Sequence, residues 1–302
     1  MNKKGMENMR YFCSQKLKQN VTRMLDFIPT PIGCSDKDHE QLCGQLEQMV
    51  KGGEDEKLYL YRYVPLFSLL HSYDGCERLF MRRVDDWNDP YEERLFRIEF
   101  SDEADGCDFI HPFQNQVYGT SFTTGYNCEG QWRNYEDAAS GPVVLLQINA
   151  SRLFDALRQS KRQFYVGCVG YFDQNKVTDQ IKQIVKDNAE VYKHYKGEDA
   201  NRESLLKPLF VKRQAFSYER EVRILTVDPG HGDKVLLADV NGFTRLISQI
   251  TVSPLCSEPW QKAQKSILEK EYAAPAIHVS ALLRRSESNP KVVFNSMQSD
   301  KI

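Results

Sequence analysis

The chain has 302 residues, is 41% hydrophobic and 11% aromatic, and carries 40 basic against 42 acidic side chains for a formal net charge of −2. This length suits one large core, or one core with a small appendage. The aromatic content is one that disordered chains lack, and the charge balance excludes a global basic field that would draw in long nucleic acid. The eight cysteines (Cys13, Cys34, Cys43, Cys76, Cys107, Cys128, Cys168 and Cys256) include no CxxC and no zinc-like spacing with a histidine. That pattern points to buried thiols in a reducing compartment rather than to disulfides or a metal. The N-terminal stretch MNKKGMENMRYFCSQKLKQN lacks an apolar h-region and a small-residue cleavage site. No run of about 18 apolar residues occurs anywhere, so the sequence predicts a cytoplasmic protein that meets no membrane.

Residues 1–55 read as a separate N-terminal helical segment, with helical apolar spacing at Val21, Met24, Leu25 and Ile28 and again at Leu42, Leu46 and Val50. From Lys57 the pattern changes. LYLYRYVPLF is a strand ended by Pro65, SLLHSYDG a short helix, RLFMRRV a second strand, and Trp87-Asn88-Asp89-Pro90 a turn. VYGTSFTT (117–124) is a strand, GPVVLLQIN (141–149) is a buried strand, and SRLFDALRQS is a helix with Ser151 as its N-cap. FYVGCVGYF (164–172) follows as a strand, then a mostly helical stretch over 173–216. FSYEREVRILTV (216–227) reads as one strand that alternates Tyr218, Arg220, Val222 and Ile224 against Glu219, Glu221 and Arg223. RLISQITVSP is a late strand, PWQKAQKSILEKEY a C-terminal helix, and 286–302 a tail. Strands and helices interleave without a βαβα rhythm, which predicts an α+β fold of mostly antiparallel sheets. There is no GxGxxG and no GxxxxGK[ST], so neither a Rossmann nor a P-loop phosphate cradle is expected.

Three places carry chemistry. Arg62 lies inside an aromatic strand and must send its guanidinium to solvent, a carboxylate or a phosphate. Ser121 and Thr123 share a strand face and form a polar floor, with Phe122 anchoring the other side. Glu219 and Glu221 are two apart, so their like charges need cations or ligands to compensate them. The bland readings are a snorkelling Arg62, a solvated edge strand and a solvated carboxylate pair.

In this order, Arg62, Ser121 with Thr123, and Glu219 with Glu221 resemble the Arg–Ser–Glu signature of ADP-ribosyltransferases. LYLYRYVPL, Trp87-Asn88-Asp89-Pro90 with Glu92, the Trp132-x-x-Tyr135 pair and YEREVRI resemble a broad bacterial family labelled as a domain of unknown function. The resemblance covers about residues 57–260. It implies a transferase core over 56–285, built from two small, mostly antiparallel sheets with flanking helices and the helical stretch 173–216 as an insertion. It also implies NAD as substrate. Arg62 would pair with the pyrophosphate, Ser121 would hold the ribose or the catalytic Glu221, and Glu219 would orient or deprotonate the acceptor. Tyr61, Tyr63, Phe122 or Trp132 would stack on a ring, and Asn88 and Asp89 would line the cleft, unless Asn88-Asp89-Pro90 is only a turn and Trp87 is core.

No metal is implied. The acceptor would be RNA, DNA or a protein, reached across a small basic rim of Arg82, Arg83, Lys207, Lys212 and Arg213, with a toxin or anti-phage role and an antitoxin or regulatory partner. The alternatives are a module that binds NAD or a nucleotide without transferring anything, and an interaction protein whose Glu219 and Glu221 sit in structural ion pairs. The second of these applies if Arg62 and Glu221 are far apart. A nuclease or other hydrolase has no support, because none of the six histidines has a motif context.

Overall fold

The computed structural model describes residues 21–23, 58–72, 78–87, 89, 91, 96, 100–102, 107–109, 111–139, 141–193, 199–240 and 242–283. In chain order the strands are β1 (Val21–Arg23), β2 (Tyr59–Pro65), β3 (Arg78–Arg83), β4 (Phe100–Asp102), β5 (Cys107–Phe109), β6 (Val117–Thr123) and β7 (Val143–Asn149). They continue as β8 (Phe164–Cys168), β9 (Gly170–Phe172), β10 (Val211–Arg213), β11 (Glu221–Val227), β12 (Val235–Asp239), β13 (Ile247–Val252) and β14 (Ala276–Val279). The described α-helices are α1 (Leu66–Ser72), α2 (Glu129–Ala139), α3 (Ala150–Gln159), α4 (Gln174–Asp187), α5 (Ala189–Lys193), α6 (Asp199–Leu206) and α7 (Glu258–Glu271).

Ten strands form one hydrogen-bonded network, but it is built as two half-sheets. One runs β1-β8-β11-β6-β3-β12 and is antiparallel except for the β1–β8 pair. The other runs β2-β7-β13-β14 and is antiparallel except for β13–β14. They meet at a single register pair, Tyr61 opposite Thr123. On the same edge of β6, β3 pairs with Tyr118 and Gly119. Among the described residues, Thr120 to Phe122 therefore have no ladder partner on that edge, and a seam opens there. β9 and β10 pair in parallel beside this network, and β4 pairs with β5.

Local chemistry explains the elements. β7 is buried along nearly its whole length, as its run Val143-Val144-Leu145-Leu146 demands. Pro65 closes β2. α3 is capped by Asn149, whose side chain accepts from Arg152 N–H, and not by Ser151. The main core packs β2, β6, β7, β11 and β13 against α1 and α3, through Leu60, Phe122, Leu146, Phe154, Val222 and Ile250 among others. A second core joins the other sheet face to the helical stretch α4 to α6, through Val117, Leu225, Phe113, Val177, Ile181 and Leu206.

The helical expectation for the N-terminal segment fails at Val21–Arg23. This is a strand pairing with Phe164–Val166, and it suits the β-branched Val21 and Thr22. The rest of 1–55 and the tail 286–302 lie outside the described residues. So do Asn88, Pro90 and Glu92.

Candidate active site

In the antiparallel ladder of β11 and β6, Glu221 faces Thr123, Arg223 faces Ser121, and Leu225 faces Gly119. Directly opposed residues point to the same side of a sheet, so these six line one face. Glu221 is 4% exposed. Its Oε1 accepts from Ser121 Oγ at 2.5 Å and from Arg223 Nε at 2.6 Å. Its Oε2 accepts from Lys212 Nζ at 3.0 Å and from Arg223 Nη2 at 3.2 Å. Its backbone N–H donates to the Tyr171 hydroxyl at 2.8 Å. Burial alone would raise the pKa of this carboxyl. The charges of Arg223 and Lys212, with hydrogen bonds from Arg223 and Ser121, outweigh burial and hold it well below the usual carboxylate range. Glu221 is thus a buried carboxylate held ionised at neutral pH. The Tyr171 phenol beside it is pushed well up by burial and by the Glu221 charge.

Glu219 does not share the strand. The alternation read from FSYEREVRILTV breaks, because Gln214–Glu219 is a 3-10 turn and Arg220 adopts a left-handed conformation at φ 44°. β11 begins only at Glu221. Proximity is restored by Lys212 of β10, whose Nζ reaches Glu219 Oε2 at 2.6 Å as well as Glu221. The compensating cation that the paired carboxylates require is therefore Lys212, supplied by the strand just before the turn.

Arg223 is the other residue the sequence reading undervalued. It is 1% exposed. Its fork clamps Glu221, its Nη1 donates to the Leu209 carbonyl, and its guanidinium lies 4.8 Å from the Trp87 ring centroid. Trp87 in turn lies against Gly119, where a Cβ would stand 2.5 Å from its Cζ2. Trp87 thus supports the carboxylate at one remove, through Arg223. Asp89 caps Tyr91 N–H and pairs with Arg213, whose guanidinium lies over the Tyr91 and Phe216 rings.

Arg62 leaves β2 at the seam. Because Tyr61 is the residue opposite Thr123, Tyr61 shares the face of Glu221 and Arg62 projects to the other side. Its Nη2 donates to the Phe80 carbonyl of β3 at 3.0 Å, and its guanidinium lies 5.7 Å from the Phe122 ring centroid, so it staples β2 to β3 across the gap. The Tyr135 phenol is pushed up to about 12 by burial and by the charges of Glu219 and Glu221, against Lys212 and Arg62.

Three of the four expected stacking rings are buried. Trp132 is 0% and Tyr63 4% exposed. They pack edge-to-face at 4.8 Å in a small core with Val143 and Leu145. Trp132 Nε1 is spent on Asn127, and the Tyr63 hydroxyl bonds to the Cys128 backbone. Neither offers a face to a ligand, and Phe122 is likewise core. The open aromatic pair is Tyr61 with Tyr126, with ring centroids 5.2 Å apart. Thr123 Oγ1 accepts from Gly125 N–H and shapes the turn after β6. The expected basic rim is neutralised: Arg82 pairs with Asp86, Arg83 with Asp85, Lys212 with both glutamates and Arg213 with Asp89, while Lys207 is buried. Among the described residues no His, Cys, Asp and Glu group is placed to hold a metal ion, and no helix is long and apolar enough to cross a membrane.

Residues 131–224 match a family described as a protein of unknown function, DUF2971. That span holds the Trp132-x-x-Tyr135 pair, β7 and the Glu221–Arg223 strand. No curated protein matches the sequence. Three solved structures of DarT from Thermus sp. 2.9 are similar to this chain. The complex with ADP-ribosylated ssDNA matches at 13% identity over 75% of this chain and 95% of that one, with a TM-score of 0.34. The carba-NAD+ complex matches at 12% over 75% and 97%, TM-score 0.32, and the NAD+ complex at 12% over 75% and 96%, TM-score 0.33.

Proposed function

We propose that the chain is an NAD-dependent ADP-ribosyltransferase that modifies a macromolecular acceptor. The observation that carries this reading is the Glu221 carboxylate, kept ionised though buried, touching Ser121, with a second carboxylate two residues away on a separate turn. Such a group suits the stabilisation of positive charge that develops only in the transition state. As the bond between ribose C1′ and nicotinamide breaks, the bonding pair leaves with nicotinamide and C1′ becomes oxocarbenium-like. Glu221 stabilises that centre and holds a ribose hydroxyl. The acceptor's nucleophile bonds to C1′ and passes its proton to Glu219. Ser121 fixes Glu221, and Tyr61 with Tyr126 offers the stacking surface. Arg62 is the proposed partner of the pyrophosphate, which must then cross the seam between the half-sheets, because Arg62 projects to the side opposite Glu221 and would exchange the Phe80 carbonyl for a phosphate. The acceptor belongs to nucleic acid or protein, and a cytoplasmic toxin or defence effector restrained by a partner protein is the setting that fits.

A second reading has its own support. Glu221 is fully engaged by Arg223, Lys212 and Ser121, as a structural ion cluster in a binding or interaction protein would be. Radiolabelled NAD incubated with the protein and a cell lysate separates the two. Label in the nucleic-acid or protein fraction that disappears in Glu221→Gln is the expected result. Neither label nor nicotinamide release from the wild type leaves the binding reading.

A further inference from the structure

The two carboxylates have different supports. Glu221 is held by the sheet, through Ser121 and Arg223 on adjacent strands and by Tyr171 of β9. The Gln214–Glu219 turn has no buried residue to anchor it in a core. It is held instead by Lys212, which reaches Glu219, by the Lys212 and Arg213 cations over the Phe216 ring, and by α2. The Tyr218 ring lies against the helix backbone at Gly130, where a Cβ would stand 3.1 Å from Tyr218 Cε2. Gln131 Nε2 donates to the Glu219 carbonyl at 3.2 Å. Asn134 Nδ2 donates to the Tyr218 hydroxyl at 2.5 Å. Gly130 and Asn134 are one helical turn apart on one stripe, with Gln131 beside them.

Gln131 also departs from what packing alone would choose. It is 3% exposed, and its Oε1 is buried with no hydrogen-bond partner among the described residues. An apolar side chain of the same shape would avoid that desolvation penalty. The amide makes sense at this position for the bond its nitrogen gives to Glu219.

We propose that Gly130, Gln131 and Asn134 of α2 are positioning residues that latch the Glu219 turn, setting the carboxylate that meets the acceptor together with the Lys212 bridge it shares with Glu221. The proposal rests on the transferase reading for its catalytic consequence, and on geometry alone for the latch. Transfer needs both carboxylates in place, whereas hydrolysis of NAD by water needs only Glu221 and the bound dinucleotide. Loosening the latch therefore separates the two reactions.

The test uses the full chain as wild type, Gln131→Met, Asn134→Ala, Tyr218→Phe and the Asn134→Ala/Tyr218→Phe pair. Hydrogen exchange of the amides of 215–220 is expected to quicken about tenfold in Gln131→Met and Asn134→Ala, with the β11 amides 222–226 unchanged. Gln131→Met should melt no lower than wild type. The paired variant should be no worse than either single one, because both remove the same bond. With labelled NAD, transfer to the acceptor should fall about tenfold, while nicotinamide release by hydrolysis, measured without acceptor, stays within about twofold. Exchange that is unchanged in 215–220, or that quickens equally in β11, overturns the latch whether or not the protein turns over NAD. Quickened exchange with transfer and release falling in proportion overturns the positioning role. A wild type that releases no nicotinamide removes the transferase reading, and the exchange result still decides whether α2 holds the turn.

Discussion

At the scale of single residues, the site is a charge balance in which each member has a calculable role. Lys212 is 11% exposed and sits between two carboxylates that are themselves nearly enclosed. Replacing it by Met keeps the stem and leaves Glu219 and Glu221 with less compensation. Breaking such a group should cost about 3–5 kcal/mol at neutral pH. The sign of its pH dependence follows from Glu221. In the wild type the folded pKa lies below the ordinary 4.5, so the carboxylate contributes stability above that value and loses it as pH falls through the lower folded value. Without Lys212 burial is less opposed and the folded pKa rises. The deficit of Lys212→Met should therefore be largest near neutral pH and shrink only as pH falls through the variant's raised folded pKa, as urea midpoints at neutral and at strongly acid pH will show. An equal deficit at both would mean that Lys212 acts through packing. The need for a cation beside Glu219 and Glu221 was legible in the sequence, because two nearby carboxylates must be compensated. Which cation was not, since Lys212 reaches them through a strand pairing, with Lys212 opposite Tyr171, that no local pattern encodes.

At the scale of elements, β6 carries the site face and its fit decides where the supports stand. A methyl group on Gly119 would meet Trp87 at 2.5 Å and Leu225 Cδ2 at 2.7 Å, and both are ring or branched side chains with little room to move. Gly119→Ala should cost about 1–3 kcal/mol by overpacking. Because Trp87 lies over Arg223, the same change should reduce nicotinamide release beyond what the lost stability explains. Thermal melts beside NAD turnover at a temperature where both proteins stay folded will separate the two effects. Strands such as β2, β6 and β7 were readable because their apolar runs and closing Pro65 are local. The break at Arg220 was not, since a non-glycine residue at positive φ leaves no mark in an alternating sequence. Trp132 and Tyr63 were misplaced for a related reason: an aromatic strand and an aromatic helix face look alike whether they line a cleft or close a core.

At the scale of the whole molecule, the helical stretch between β9 and β10 is tied to the sheet by a second core, and His111 is its polar rivet. His111 is 1% exposed and lies among Phe96, Phe113 and Tyr192. Its Nδ1 accepts from Phe113 N–H, which leaves the proton on Nε2 to donate to the Leu205 carbonyl of α6. One neutral imidazole therefore joins the segment before β6 to the helices that lead into β10 and Lys212. Burial pushes its pKa down from 6.5 to about 4, against the bond to Leu205. A depressed histidine stabilises the fold fully above its unfolded pKa and loses that contribution as pH falls toward the folded value, because the unfolded chain takes up the proton first. The window runs from about pH 6.5 down to about 4. Between pH 7.5 and 5 the wild type should lose about 2 kcal/mol from this group alone. His111→Gln keeps a donor and an acceptor but cannot titrate, so its urea midpoint should change less over the same interval. Parallel loss in both proteins would place the acid sensitivity in the carboxylates instead. A smaller loss in the variant would show that the helical stretch between β9 and β10 is docked through a neutral histidine, on the chain segment that leads into β10 and Lys212.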